Sequence, residues 1–233
     1  MEIKFDRAAA TLATVEDLRT SRTQETLGLA GAIYKGKWEA FGQRQSLEQS
    51  LAYYLRGYKE GATSDYGYTG INAAFVLDLL ANLEVAEAQQ AGTTSETALA
   101  RRQEAGHIRE HLIATLPELL QQPNTAWLEK EWWFLVTVAE AYFGLARYKE
   151  AGIWLQKAAA LPGVPGWKME ATARQLASLA RLQAGNATVA ALESWNHGAS
   201  EKKRERLVVS ALSSTPQVIW GRLVLSRTIR SVT

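Results

Sequence analysis

The chain of 233 residues contains no cysteine. That excludes a disulfide framework and any thiolate metal site, and it suits a reducing compartment. Long apolar runs are missing too. The opening MEIKFDRAAA holds no stretch of signal-peptide length. No window reads as the roughly 18 apolar residues of a membrane span. The expectation is a cytoplasmic protein.

Catalytic signatures are equally scarce. There is no glycine-rich phosphate loop and no Gly-x-Ser-x-Gly elbow. His107 and His111 stand four apart with Glu110 between them, a spacing that puts two imidazoles on one helix face. A zinc protease needs Glu directly after the first His, and Ile108 is there instead. No third ligand is evident, so neither a metal nor a cofactor is expected, and His197 is given no role. The chain reads as a non-enzyme.

What is present is apolar sequence at helical spacing. Hydrophobic residues make up 47% of the chain, enough for a sizeable core. The best-ordered stretch is Glu129 to Trp167. Leu135, Val138, Ala139 and Tyr142 recur at helical spacing. Ala146, Tyr148, Ala151, Leu155 and Ala158 follow, and Pro162 closes the unit. Small residues alternate with large ones over roughly 34 positions, as in a tetratricopeptide-type helical hairpin.

The remaining elements follow from the same pattern. A weak helix is expected from Ala8 to Arg19. A second runs from about Glu25 to Lys35, capped by Thr23, with Leu27, Ala30, Gly31 and Tyr34 on one face. Gly36 to Gln45 reads as a loop carrying Trp38 and Phe41. A helix from Ser46 carries Leu47, Leu51, Tyr54 and Tyr58, so the first hairpin is a repeat with a long internal loop. Residues 61–70, GATSDYGYTG, form a turn-rich connector. The helix from Ile71 to about Ala88 is apolar nearly all round and belongs in the middle of a stack. Glu96 to Leu120 is helical, with Pro117 as a kink or break. After the best repeat, Trp167 to Ala184 is helical, stopped by Gly185-Asn186, and Thr188 to Trp195 completes a pair. The fold class is therefore all-α, a tetratricopeptide-like helical-hairpin solenoid of about four hairpins over residues 8–195.

The end of the chain differs. Net charge is +2, but it is +5 after Ala199 and −3 before it. Such asymmetry marks either a contact surface for an anionic partner or a solvated end. A short helix is expected from Ser200 to Leu212. Pro216 to Val232 loses the helical period and gains β-branched residues, which suggests a strand pair, a cap or the start of another module. The domains are drawn as residues 1–199, helical, and 200–233, a basic C-terminal segment.

Stacked hairpins line a groove with their first helices. Aromatic and polar residues gather on or just before those helices: Tyr34, Lys35, Tyr66, Tyr68, Asn72, Trp132, Trp133, Thr137 and Glu140. Polar groups in such apolar sequence need partners from the protein, water or a ligand.

Five segments then occur in a distinctive order. They are ETLGLAGAIYK (Glu25 to Lys35), AYYLRGY (Ala52 to Tyr58), YTGINAA (Tyr68 to Ala74), WWFLVTVAE (Trp132 to Glu140) and WKMEAT (Trp167 to Thr172). The series resembles the tetratricopeptide-like "TRAFs-binding" region of the apoptosis signal-regulating MAP3 kinases and its bacterial relatives, also called the TPR-S domain. The resemblance covers roughly residues 20–185. The family pattern tends to have Arg where this chain has Ala32, so if that Arg contacts a ligand, binding here would either be weaker or rely on Lys35, Arg19, Arg22 or Arg56.

The resemblance implies a regulatory module of signal transduction. In animal kinases the region helps control the kinase and recruit partners. In bacteria it resembles a sensor in conflict and immunity systems, proposed to recognise an NAD- or ADP-ribose-like signal and to control a linked effector. For such a nucleotide-like small molecule, Lys35 and Arg56 would meet phosphates. Asn72 and Glu140 would take ribose hydroxyls, Tyr68 or Trp133 would stack on the base, and Thr137, also assigned to the site, lies between Trp133 and Glu140 in the sequence. The alternative is an interaction scaffold whose groove or basic tail binds a protein segment. Nucleic acid is not an expected partner.

Overall fold

The computed structural model describes the backbone of residues 2–196 and the side chains of residues 3–185. The order is α1 (Glu2–Val15), α2 (Gln24–Phe41), α3 (Arg44–Lys59), α4 (Tyr68–Gln90), α5 (Glu96–Leu119), a 3-10 turn (Ala126–Lys130), α6 (Trp132–Gly144), α7 (Tyr148–Ala160) and α8 (Gly166–Asn196). The described residues contain no strand. The all-α, tetratricopeptide-like reading is therefore correct. The expected helix over Ser200 to Leu212 and the strand pair after Pro216 lie outside the described residues. The chain separates into two units, residues 1–173 and 174–233.

The first unit is a row of hairpins. α2 packs on α3, α4 on α5 and α6 on α7. Successive hairpins join through α3 with α4 and α5 with α6, and the first helices meet each other through α2 with α4 and α4 with α6. Fully buried Leu27, Leu47, Tyr54, Leu77, Leu80, Leu112, Leu116, Phe134 and Leu135 fill the interfaces. Each such leucine contributes about 1.5–3 kcal/mol when removed from water. α4 is apolar all round because four helices surround it, and Thr69 through Leu77 are all buried. By length and composition α4 is apolar enough to cross a membrane, contrary to the sequence expectation, but 78% of that window is buried against other helices.

Close helix contact depends on small residues. A Cβ at Gly31 of α2 would lie 2.7 Å from the Tyr54 ring of α3. Beside it, the Ser50 hydroxyl donates to the Gly31 carbonyl at 2.8 Å. Ala151 of α7 is buried, as its place in the best repeat requires.

Several expected boundaries move. α2 does not end at Lys35. It continues through Trp38 to Phe41, because Gly36 lets the Phe5 ring of α1 approach and Phe41 meets Phe5 edge to face at 6.1 Å. The stop is Gly42, whose φ of 69° suits the left-handed region and whose N–H donates to Trp38 O at 2.7 Å. The first hairpin therefore has a tight turn, not a long loop. α1 starts and stops earlier than expected. It ends before Asp17, whose carboxylate turns the chain by accepting from Arg19 N at 3.0 Å. α4 starts at Tyr68, not Ile71, because Asp65 caps it: Oδ1 accepts from Gly67 N and Oδ2 from Thr69 N, at 3.1 and 2.7 Å. α5 runs through Pro117 to Leu119.

The last correction concerns Gly185-Asn186. α8 passes through both to Asn196 as one helix, so Thr188 to Trp195 forms no separate partner. Glycine and asparagine cost up to about 1 kcal/mol each inside a helix but do not forbid it. The described residues thus hold three hairpins, with α1 before them and α8 after. In the second unit, Leu176, Leu179 and Leu182 are buried at helical spacing.

Candidate functional site

α2 packs on α4 and α4 on α6, so these three first helices lie side by side. On α4, Tyr68, Asn72 and Phe75 are spaced i, i+4, i+7. On α6, Trp133, Thr137 and Glu140 have the same spacing. Residues so spaced stand one above another on a helix. Lys35 comes from the last half of α2.

The structure brings Lys35 and Asn72 together. The Lys35 ammonium donates to Asn72 Oδ1 at 3.2 Å and stands 5.5 Å from the centroid of the Phe75 ring. Asn72 Nδ2 donates to the Tyr68 carbonyl one turn back, at 2.9 Å. Asn72 is thus bonded within its helix and across to α2; it does not cap α4. Glu140 is buried and engaged within the protein. The side chain of Thr137 is turned inward on its own helix, its hydroxyl donating to Trp133 O at 2.8 Å. Arg147 holds Glu150 at 2.8 Å and stacks over Tyr142 at 4.9 Å.

One turn or two nearer the helix starts, the residues are aromatic. Tyr68 is 41% exposed, its ring between Gly28 of α2 and Tyr54 of α3. Trp133 meets Tyr66 at 5.6 Å and Trp127 at 6.5 Å, and Tyr66 meets Trp127 edge to face at 5.7 Å. The Trp133 indole N–H donates to Glu131 Oε2 at 3.0 Å. Tyr66 reaches this trio from a left-handed backbone, φ 54°, a conformation that costs a non-glycine residue about 1–2 kcal/mol. Sequence reasoning missed Trp127. It lies in the 3-10 turn before α6, and only its place just ahead of a first helix pointed to it.

Arg56 does not join these residues. It is on α3, and its guanidinium donates to Leu18 O and Ser21 O, both at 2.7 Å. It ties the segment between α1 and α2 to the first hairpin, because those carbonyls lie past the end of α1 and lack helical partners. Tyr34 is likewise structural, stacked on Tyr53 of α3 at 5.6 Å. Arg19 is bound to Asp17 and Arg22 to Glu60.

His107 and His111 are both exposed, and His111 Nδ1 shares a 2.7 Å hydrogen bond with the Tyr58 hydroxyl. Among the described residues no group of three or more His, Asp or Glu is placed to hold a metal ion.

Residues 2–77 match the model of the Tetratricopeptide Repeats-Sensor family, TPR-S. The resemblance read in the sequence is correct over that stretch. It begins earlier than residue 20, because α1 is included, and it reaches into the middle of α4. No curated protein and no solved structure matches the chain. A family of this kind points to a sensor, regulatory or protein-interaction module.

Proposed function

We propose that the chain is a non-catalytic cytoplasmic sensor module whose first-helix groove takes a nucleotide-derived ligand of the NAD or ADP-ribose type. A linked effector would read the occupied state. One observation carries the reading. Lys35 of α2 meets Asn72 of α4 inside an apolar stack, the next first helix carries a buried Glu140, and Tyr68 and Trp133 stand one to two turns nearer the starts of the same helices. Buried polar groups are costly unless bonded. A ligand with phosphates, hydroxyls and a flat base has the matching chemistry. Binding would alter the Lys35–Asn72 contact, which joins the first hairpin to the second, and so bias how the hairpins pack.

The test is thermal denaturation with NAD, ADP-ribose and ATP, followed by calorimetric titration. A ligand at 100-fold its Kd adds about 2.7 kcal/mol. A clear rise in Tm with NAD or ADP-ribose supports the reading. No rise and no heat with any of the three sinks it. In that case the groove binds a protein segment. Trp127, 46% exposed beside Tyr66, favours this second reading, because apolar aromatic surface of that kind is a common anchor for partners.

A further inference from the structure

A cavity of about 500 Å³ lies away from the groove, between the start of α6 and the loop that joins α7 to α8. Small-molecule pockets fall in this size range. Its walls are Lys130, Trp132, Pro162, Val164, Pro165 and Lys168. Cation and apolar surface are therefore the two chemistries on offer.

Both lysines are available. Among the described residues neither makes an ion pair. The Lys168 ammonium rests 5.7 Å from the centroid of the exposed Trp167 ring. Glu131 also borders the cavity, but one of its oxygens is already taken by the Trp133 indole. The first turns of α6 and α8 carry no acidic residue, but Glu131 caps α6, so the attraction for an anion comes from Lys130, Lys168 and the start of α8 and not from the start of α6. The loop itself is stiffened by Pro162 and Pro165 around Gly163, which keeps the cavity formed without a ligand.

We propose that this cavity is a second binding site, for a small organic anion with an apolar body. Its phosphate or carboxylate lies between Lys130 and Lys168, and its body lies on Trp132 and the two prolines. Lysines act as point charges on flexible stems and take either anion. The site is distinct from the Lys35–Asn72 contact, since neither of those residues lines the cavity. Glu131 links it to the proposed groove: it borders the cavity and holds Trp133.

The test is a two-dimensional amide NMR titration of the whole chain at fixed ionic strength, with phenyl phosphate, benzoate and inorganic phosphate as probes. Saturable shifts at the Trp132 indole and at Gly163, Val164 and Trp167, with phenyl phosphate or benzoate, support the site. The double variant Lys130→Gln, Lys168→Gln is expected to weaken that binding at least about tenfold, two charge-assisted contacts being lost, with Tm unchanged. Both side chains reach solvent, so folding is not at stake. Inorganic phosphate binding as tightly as phenyl phosphate would overturn the role of the apolar walls. Shifts that do not saturate, that survive in the double variant, or that gather at Lys35 and Asn72 would overturn the site.

Discussion

The Lys35 ammonium of α2 donates to the Asn72 side-chain carbonyl of α4 at 3.2 Å, so the first two hairpins are joined by a polar contact inside an apolar stack. The two partners differ in burial. Lys35 is half-exposed, whereas Asn72 is 7% exposed and also bonds Tyr68 O. Stability and ligand binding should therefore separate at Lys35 and not at Asn72. Lys35→Ala is expected to cost under about 1 kcal/mol, as half-exposed polar contacts do, while ADP-ribose affinity falls at least about tenfold. Asn72→Ala is expected to cost about 1–3 kcal/mol, because a buried amide that bonds both Lys35 and Tyr68 O is lost and a hole opens. Urea denaturation and calorimetry check both. Unchanged ADP-ribose affinity in Lys35→Ala would remove Lys35 from the site.

A second junction, between the second and third hairpins, rests on Arg109. Its guanidinium is buried and holds Asp78 of α4 at 2.6 Å, and a Cβ added at Gly144 of α6 would run into it. Breaking a buried ion pair leaves a charge without compensation. Gly144→Ala forces that choice, since the arginine cannot move without leaving Asp78. A loss of about 2–4 kcal/mol in urea denaturation is expected. Gly152→Ala, on the next helix with nothing within 4 Å of the added Cβ, serves as control and is expected to be neutral or slightly stabilising. Equal effects from the two changes would show that Gly144 is not a contact glycine.

Asp65 carries an unusual pH signature. Burial pushes its carboxyl above the ordinary 3.8, against the pull of its bonds from Thr69 and Gly67. A raised folded pKa means that its proton is held more tightly in the fold. Its contribution is present in full below the unfolded value and lost as pH rises through the folded one. Glu16, Asp17 and Glu60 have the opposite sign, because hydrogen bonds from Thr26, Arg19 and Arg22 respectively lower them. They are common to wild type and Asp65→Asn, so they cancel in the difference. Asp65→Asn is expected to cost about 1 kcal/mol as a weakened helix cap. The gap to wild type should widen as pH falls through the raised folded pKa towards the ordinary 3.8. A gap that narrows on acidification would mean that the N–H bonds outweigh burial.

How much could be read without the structure follows from which forces act locally. The three hairpins were legible because the periods of Leu47, Leu51 and Tyr54, or Leu135, Val138 and Ala139, are set by burial on one face. The end of α2 was not. Gly36 looks like a stop, and only the Phe5 ring arriving from α1 explains why the helix continues. Gly185 misled in the same way. Of the residues in the proposed site, Lys35, Asn72 and Glu140 stand out in the sequence as polar residues in apolar helices. Arg56 was misplaced because its partners, two backbone carbonyls at Leu18 and Ser21, leave no trace in sequence. The grouping of Trp127 with Tyr66 and Trp133 depends on a left-handed tyrosine that no periodicity reveals.

The turn between α6 and α7 offers a gain in stability. Ala146 has φ 58°, and the chain closes the helix end around it: Ala146 N donates to Phe143 O and Arg147 N to Tyr142 O, both at 2.9 Å. This is the geometry in which glycine is usual, because a Cβ in the left-handed region meets the following carbonyl oxygen. The strain costs alanine about 1–2 kcal/mol. Against it stands the larger entropy of glycine in the unfolded chain, about 0.4–1 kcal/mol. Strain outweighs entropy here, so Ala146→Gly should raise stability by a few tenths to about 1 kcal/mol. The side chain is exposed, so no packing is lost. Ala146→Val is the counterpart. A β-branched residue is poorer still in the left-handed region, and the change should lower stability by about 1 kcal/mol or more. Urea denaturation of the three proteins in parallel decides the matter. The order glycine above alanine above valine is expected, and any reversal between glycine and alanine would mean that the turn relaxes out of the left-handed region in solution.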